Sequence, residues 1–283
     1  MTTTECGFKL ARAAVLLAVS IAVPTSAVAR GSAVSWASSS TIERLFNEAG
    51  VTGTFVSCRT PGGVVTGVDA ERAMQRFPPA STFKIPHTLI ALEAGVVEGT
   101  QEMFEWDGAP RLVSSWQRDM TLAEAMKASN LHVYQEIARR IGPERMREWV
   151  GGLGYGNGES GAKLDRFWLE GPLEISAVEQ CRFLLRLAAG QTPVSAETLA
   201  VLRDMLEEDR GRGIRLYAKT GWAGFPGPGI GWWVGWAEGP FGMAAFALNI
   251  DMPDSSYAPR RIELGRQALH ALGFLVEESA TPP

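Results

Sequence analysis

The chain has 283 residues, 46% hydrophobic and 20% charged, an ordinary globular composition that supports one large domain or two closely packed lobes. Twenty-seven basic residues against thirty-one acidic ones leave a net charge of −4, which argues against a nucleic acid or an anionic membrane surface as partner. Lysines are scarce: five stand against twenty-two arginines, so each lysine can be weighed individually.

Residues 1–29 read as a signal peptide. Lys9 and Arg12 precede an apolar run from Ala13 to Val23, then Pro24 and the small-residue site Ala27-Val28-Ala29. The run is too short to span a bilayer comfortably. Cleavage would leave residues 30–283 as the mature domain, secreted to the periplasm without a membrane attachment; a retained N-terminal anchor is the alternative.

After that segment, Ser38-Ser39-Ser40-Thr41 precedes Ile42, Leu45 and Phe46, a capped short helix ending near Gly50. Gly53–Arg59 and Val64–Val68, joined by Thr60-Pro61-Gly62-Gly63, read as a hairpin. Patterns from Ser81 to Val150 are mostly helical, and the glycine-rich stretch from Gly151 to Gly161 reads as loop. Helical periodicity returns over Ala177–Ala188 and Ala196–Leu206. Ile214–Lys219, Gly231–Glu238 and Gly242–Asp251 read as consecutive strands, and Arg260–Leu272 as a closing helix. Strands from both ends of the chain with helices between them predict an α+β fold. An antiparallel sheet carries the terminal helices on one side, with a mostly helical lobe inserted in the middle.

Cys6 leaves with the signal. Cys58 and Cys181 read as buried small hydrophobes, and a disulfide between them stays open. His87, His132 and His270 lack metal-ligand spacing, and no metal is expected.

The chemistry concentrates at three places. Ser81-Thr82-Phe83-Lys84 follows Pro78-Pro79-Ala80, so a helix starting at Ser81 sets serine and lysine on one face. A lysine there can take the serine proton if burial lowers its pKa. The helix start offers free N–H groups to a developing oxyanion. A second S-x-x-K, Ser160 to Lys163, lies in the glycine-rich stretch and reads as solvated loop. Ser129-Asn130-Leu131 opens a helical run, where Ser129 is either a proton relay or an N-cap. Lys219-Thr220-Gly221, followed by Trp222, closes a strand; its lysine and threonine can hold a carboxylate, and its glycine lets a substrate approach the backbone.

In this order the elements resemble the penicillin-recognising serine enzymes. The finer resemblance is to class D, or oxacillinase-type, serine β-lactamases. It is carried by the run from Pro79 to Pro86, Gln135 to Arg139, Tyr155-Gly156-Asn157, Phe167 to Leu173, and the tryptophan segment Gly231 to Trp236. It runs from about Thr41 to Leu272 and implies a β-lactamase/transpeptidase-like domain acting on a small-molecule β-lactam. The resemblance makes Ser81 the nucleophile and Lys84, N-carboxylated by carbon dioxide, the general base, with no other cofactor. Trp168 would donate to that group, and Ser129 and Lys219 would protonate the leaving nitrogen. Thr220 and Arg261 would bind the drug carboxylate, Arg260 competing for the second role. The backbone N–H groups of Ser81 and Trp222 would form the oxyanion hole, beside Gly221.

Carbon dioxide reacts only with a neutral amine, so Lys84 must sit in an apolar setting, for which Phe83, Leu131, Trp168 and Leu169 are candidates. No E-x-x-L-N segment supplies a separate glutamate base. The family usually has valine and then often proline where this chain has Leu131 and His132, which bears on access of water and carbon dioxide to Lys84. A cell-wall D,D-peptidase and a β-lactam sensor share the chemistry. The short polar tail Glu277–Pro283 and the lack of further membrane helices favour the lactamase.

Overall fold

The computed structural model describes residue 1 and residues 34–60, 63–211, 213–240 and 242–275. The expected signal segment and the tail from Glu277 lie outside them. In chain order the elements are β1 (Trp36–Ser38), α1 (Ser40–Ala49), β2 (Gly53–Cys58), β3 (Val65–Val68), α2 (Ala70–Met74) and β4 (Arg76–Phe77). A 3-10 turn at Ala80–Phe83 leads into α3 (Lys84–Glu93), followed by β5 (Met103–Phe104), β6 (Met120–Thr121), α4 (Leu122–Lys127), α5 (Leu131–Ile141) and α6 (Pro143–Leu153). Then come α7 (Phe167–Glu170), β7 (Ile175–Ser176), α8 (Ala177–Ala188), α9 (Ala196–Leu206), β8 (Glu207–Gly211), β9 (Ile214–Ala223), β10 (Gly229–Gly239), β11 (Gly242–Met252) and α10 (Arg260–Ala271).

Seven strands form one sheet in the order β1-β3-β2-β11-β10-β9-β8. All neighbours are antiparallel except β1 and β3, which run parallel. Both faces are covered, which explains why β10 reads as an unbroken apolar run. Trp232, Val234 and Trp236 enter the core shared with the helical lobe, while Trp233 and Ala237 enter the core under α1 and α10. The strand β11 alternates the same way, Ala245 and Ala247 against Phe246, Leu248 and Ile250. The α+β architecture, with terminal helices on one face and an inserted helical lobe, is the one expected.

Local caps set several boundaries. Ser39 accepts the N–H of Ile42 at the start of α1, and Gly50 ends it in the left-handed region. Ser176 and Glu179 form a capping box at α8.

Two expectations need correction, and two open readings are decided. Gly151 and Gly152 are helical, and α6 ends only at Gly154, because Met146, Val150 and Leu153 bury one face and outweigh the roughly 1 kcal/mol cost of a helical glycine. The Lys-Thr-Gly run does not close its strand: β9 continues to Ala223, paired throughout with β10. Ser129 does not cap α5; Asn130 does, accepting the N–H groups of His132 and Val133. Finally, the pairing the sequence leaves open is made: Cys58 on β2 and Cys181 on α8 are disulfide-bonded with Cα atoms 6.1 Å apart.

Candidate active site

Ser81 does not begin an α-helix, as the apolar pattern suggested. It lies in the 3-10 turn, and the α-helix proper starts at Lys84. The preceding Ala80 sits at φ +49°, a left-handed conformation that costs a non-glycine residue about 1–3 kcal/mol. Surrounding bonds hold the turn there. Pro79 O accepts from Thr82 N and Oγ1, Gln180 Nε2 donates to Thr82 Oγ1 at 2.8 Å, and Trp232 Nε1 donates to Pro78 O at 3.0 Å. Gly221 on β9 presses on this turn: a Cβ there would stand 3.0 Å from Pro79 O.

Lys84 Nζ donates to Ser81 Oγ at 3.0 Å. The lysine is 1% exposed. The Tyr134 ring centroid stands 4.9 Å from Nζ. Burial, and to a lesser degree the charge of Lys219, holds its amine well below the ordinary lysine value. Trp168, on the short helix α7, stacks on Phe83 at 5.7 Å and meets His87 edge-on at 5.2 Å.

Across the cleft, Ser129 also adopts a left-handed conformation, φ +54°. Lys219 Nζ donates to Ser129 Oγ at 3.1 Å, joining the middle serine to β9. Burial and the neighbouring Arg261 push the Lys219 amine down to about 8, with Glu208 opposing. The two arginines of α10 separate clearly. Arg260 lies over the Tyr257 ring and donates to Ala49 O, whereas Arg261 lines the cleft and donates through Nη1 to Gly221 O at 2.6 Å. Gly231 makes room for it, since a Cβ there would stand 2.6 Å from Arg261 Cδ.

The strand β8 pairs with β9 only over Ile214–Tyr217, so Ala218–Ala223 has a sheet neighbour on one side only, among the described residues. That free margin carries Thr220, Gly221 and Trp222 past Ser81. Together with Ser129, Leu131 and Arg261 they line a cleft of about 520 Å³. The second S-x-x-K forms no dyad: Lys163 reaches Glu170 at 3.1 Å, and Ser160, expected to be solvated, is buried.

Residues 34–263 match the family model for the penicillin-binding protein transpeptidase domain. The chain is 36% identical to β-lactamase OXA-10 of Pseudomonas aeruginosa over 81% of its own length and 88% of that protein's. It is 44% identical to β-lactamase OXA-48 of Klebsiella pneumoniae over 70% and 75%. The crystal structure of FUS-1 (OXA-85), a class D β-lactamase from Fusobacterium nucleatum, superposes with a TM-score of 0.81 at 37% identity, covering 85% of this chain and 100% of that one. A class D β-lactamase from Nostoc gives 0.79 at 39% identity, covering 83% and 99%. The chain belongs to the class D serine β-lactamases.

In this class D enzyme the cleft has walls that no motif announced. Trp116 faces His132 edge-on at 6.0 Å and donates to Ala128 O. Leu112 stands at the rim with Phe225, which packs on Trp222 at 5.0 Å. Leu131 and His132, the departures from the family pattern, both line the cleft. Among the described residues no cluster of three or more His, Cys, Asp or Glu comes together, and no helix is long and apolar enough to cross a membrane.

Proposed function

We propose that this β-lactamase opens penicillin-type rings through an acyl-enzyme on Ser81, with Lys84 as general base in an N-carboxylated form, and thereby confers β-lactam resistance. The observation that carries this reading is the buried Lys84 amine, 3.0 Å from the Ser81 hydroxyl with its pKa depressed. Only a neutral amine takes up carbon dioxide, and burial is what keeps this one neutral. The setting also fits the resulting anion, because Trp168, buried against Phe83, would present its indole N–H to it. Joined to Lys84, carbon dioxide supplies a carboxylate base for both acylation and deacylation.

The remaining steps belong to the side chains. Ser81 Oγ attacks the ring carbonyl, and the Ser81 and Trp222 N–H groups, the latter on the free margin of β9, stabilise the oxyanion. The carbon–nitrogen bond breaks as Ser129 passes its proton to the leaving nitrogen. Lys219, at 3.1 Å, restores that proton. Thr220 and Arg261 bind the substrate carboxylate, and Gly221 leaves room for the substrate against the strand. Trp168 would hold the carboxylate on Lys84, and Leu131 lines the cleft. Water then hydrolyses the ester and frees Ser81.

Residues 1–29 act as a signal peptide and 30–283 as the catalytic domain, secreted to the periplasm. The partner is the β-lactam alone, with no nucleic acid and no membrane in the mature form. A chromogenic cephalosporin assay tests the reading: many turnovers per enzyme support it, and a single stoichiometric burst overturns it in favour of a sensor or peptidase.

A further inference from the structure

His87 is fully buried, and neither ring nitrogen has a hydrogen-bond partner among the described residues. Most buried polar groups are paired, so an imidazole with both nitrogens unspent needs a reason. Its surroundings supply one. It follows Lys84 by three positions on α3, which puts both side chains on one helical face. Its ring lies 5.4 Å from Phe83, 5.3 Å from Tyr134 and 5.2 Å from Trp168, and the Tyr134 ring also stands 4.9 Å from the Lys84 amine. The Tyr134 hydroxyl is engaged with Thr88 Oγ1 at 2.8 Å and is not free to serve that amine. Among the described residues the His87 imidazole is left unspent beside one buried lysine. Leucine or phenylalanine would fill the His87 site without stranding two nitrogens.

We propose that His87 is a second hydrogen-bond donor for the carboxylate formed on Lys84, acting beside Trp168; this rests on the carboxylation reading above. In that reaction a bond forms between Lys84 Nζ and the carbon of carbon dioxide, one carbon–oxygen π pair becomes the carboxylate charge, and the amine proton leaves to solvent. The new charge sits where water is excluded, so each N–H aimed at it counts strongly. Burial holds His87 far below the ordinary histidine range, at about 3, so the ring is neutral and carries one N–H throughout the working pH range.

The test is 13C NMR of the whole enzyme titrated with 13C-bicarbonate, comparing the parent with H87L and H87N. The parent gives a lysine carbamate signal. H87L needs about tenfold more bicarbonate or greater for half-occupancy, the effect of losing one charge-assisted hydrogen bond. H87N, which keeps an N–H donor, stays near the parent. Equal half-saturation of H87L and parent overturns the proposal. If H87L does not fold, 15N spectra of the imidazoles in an H132Q/H270Q background decide instead: His87 signals that move with bicarbonate support it, and unmoved signals overturn it. A parent with no carbamate signal fails the carboxylation reading itself, and this inference with it.

Discussion

Lys84 points its amine at the Ser81 hydroxyl from 3.0 Å inside an interior that leaves the lysine 1% exposed. An unpaired cation is costly in such a place, so the amine is driven toward its neutral form, the one that can accept a proton or bind carbon dioxide. The arrangement trades stability for reactivity. Lys84→Met should therefore melt above the parent freed of carbon dioxide, while its turnover falls several orders of magnitude below that of the carboxylated parent. Calorimetry and steady-state kinetics on the same preparation check it, and a variant as active as the parent sinks the assignment of Lys84 as base.

Lys219 predicts the alkaline limb of the pH profile. Its folded pKa is depressed to about 8, so it is charged below that value and loses its charge as pH rises through it. Since the charge attracts the substrate carboxylate and feeds Ser129, kcat/KM should fall above about pH 8. Arginine stays charged at any usable pH, so Lys219→Arg should move that limb upward even though it lowers the maximum. Superimposable parent and variant profiles would show that another group governs the limb.

The indole of Trp168 stacks on Phe83 and meets His87 edge-on. One charge-assisted hydrogen bond to an anion on Lys84 is worth about 1.5–3 kcal/mol, roughly a ten- to hundredfold shift in carboxylation. Trp168→Ala should lose activity and regain part of it in added bicarbonate. A variant with native circular dichroism that bicarbonate does not rescue would leave the tryptophan a packing role only.

His87 predicts a slope of stability with pH. Enclosed by Phe83, Tyr134 and Trp168 and facing Lys84, it is held at about 3 when folded, against about 6.5 when unfolded. The unfolded chain therefore binds a proton first. The stability contributed is fully present above about pH 6.5 and is lost as pH falls toward 3, by about 1.4 kcal/mol per unit for one proton. Urea midpoints from pH 7 to pH 4 should fall less steeply for His87→Asn. Equal slopes would place the protonated imidazole in contact with solvent or a counter-charge.

Much of this was legible because local signals and tertiary demand agreed. Ala177–Ala188 carries both its cap and its periodicity in sequence, and β10 and β11 show the apolar density of strands buried on two faces. What escaped lacks a local signal. The strand β8 has the polar sequence Glu-Glu-Asp-Arg-Gly and owes its form to pairing with Ile214–Tyr217. Ser129 reads as an N-cap but is turned left-handed, and Lys219, ninety residues on, meets it in the fold. The Cys58–Cys181 bond closes across 123 residues, a distance no spacing rule spans. Trp116 and Leu112 reach the cleft from a loop between β5 and β6 without periodicity. Motifs named the reacting groups; the cleft walls depended on the fold.

The central claim is that Ser81 carries the acyl group, and mass spectrometry of the penicillin-treated enzyme tests it most directly. Digestion should place one penicilloyl adduct on the peptide containing Ser81. Ser81→Ala should take no label, and Ser160→Ala should label as the parent does, since Lys163 is paired with Glu170 and gives Ser160 no base. An adduct on another residue with Ser81 untouched, or labelling that survives in Ser81→Ala, would contradict the account.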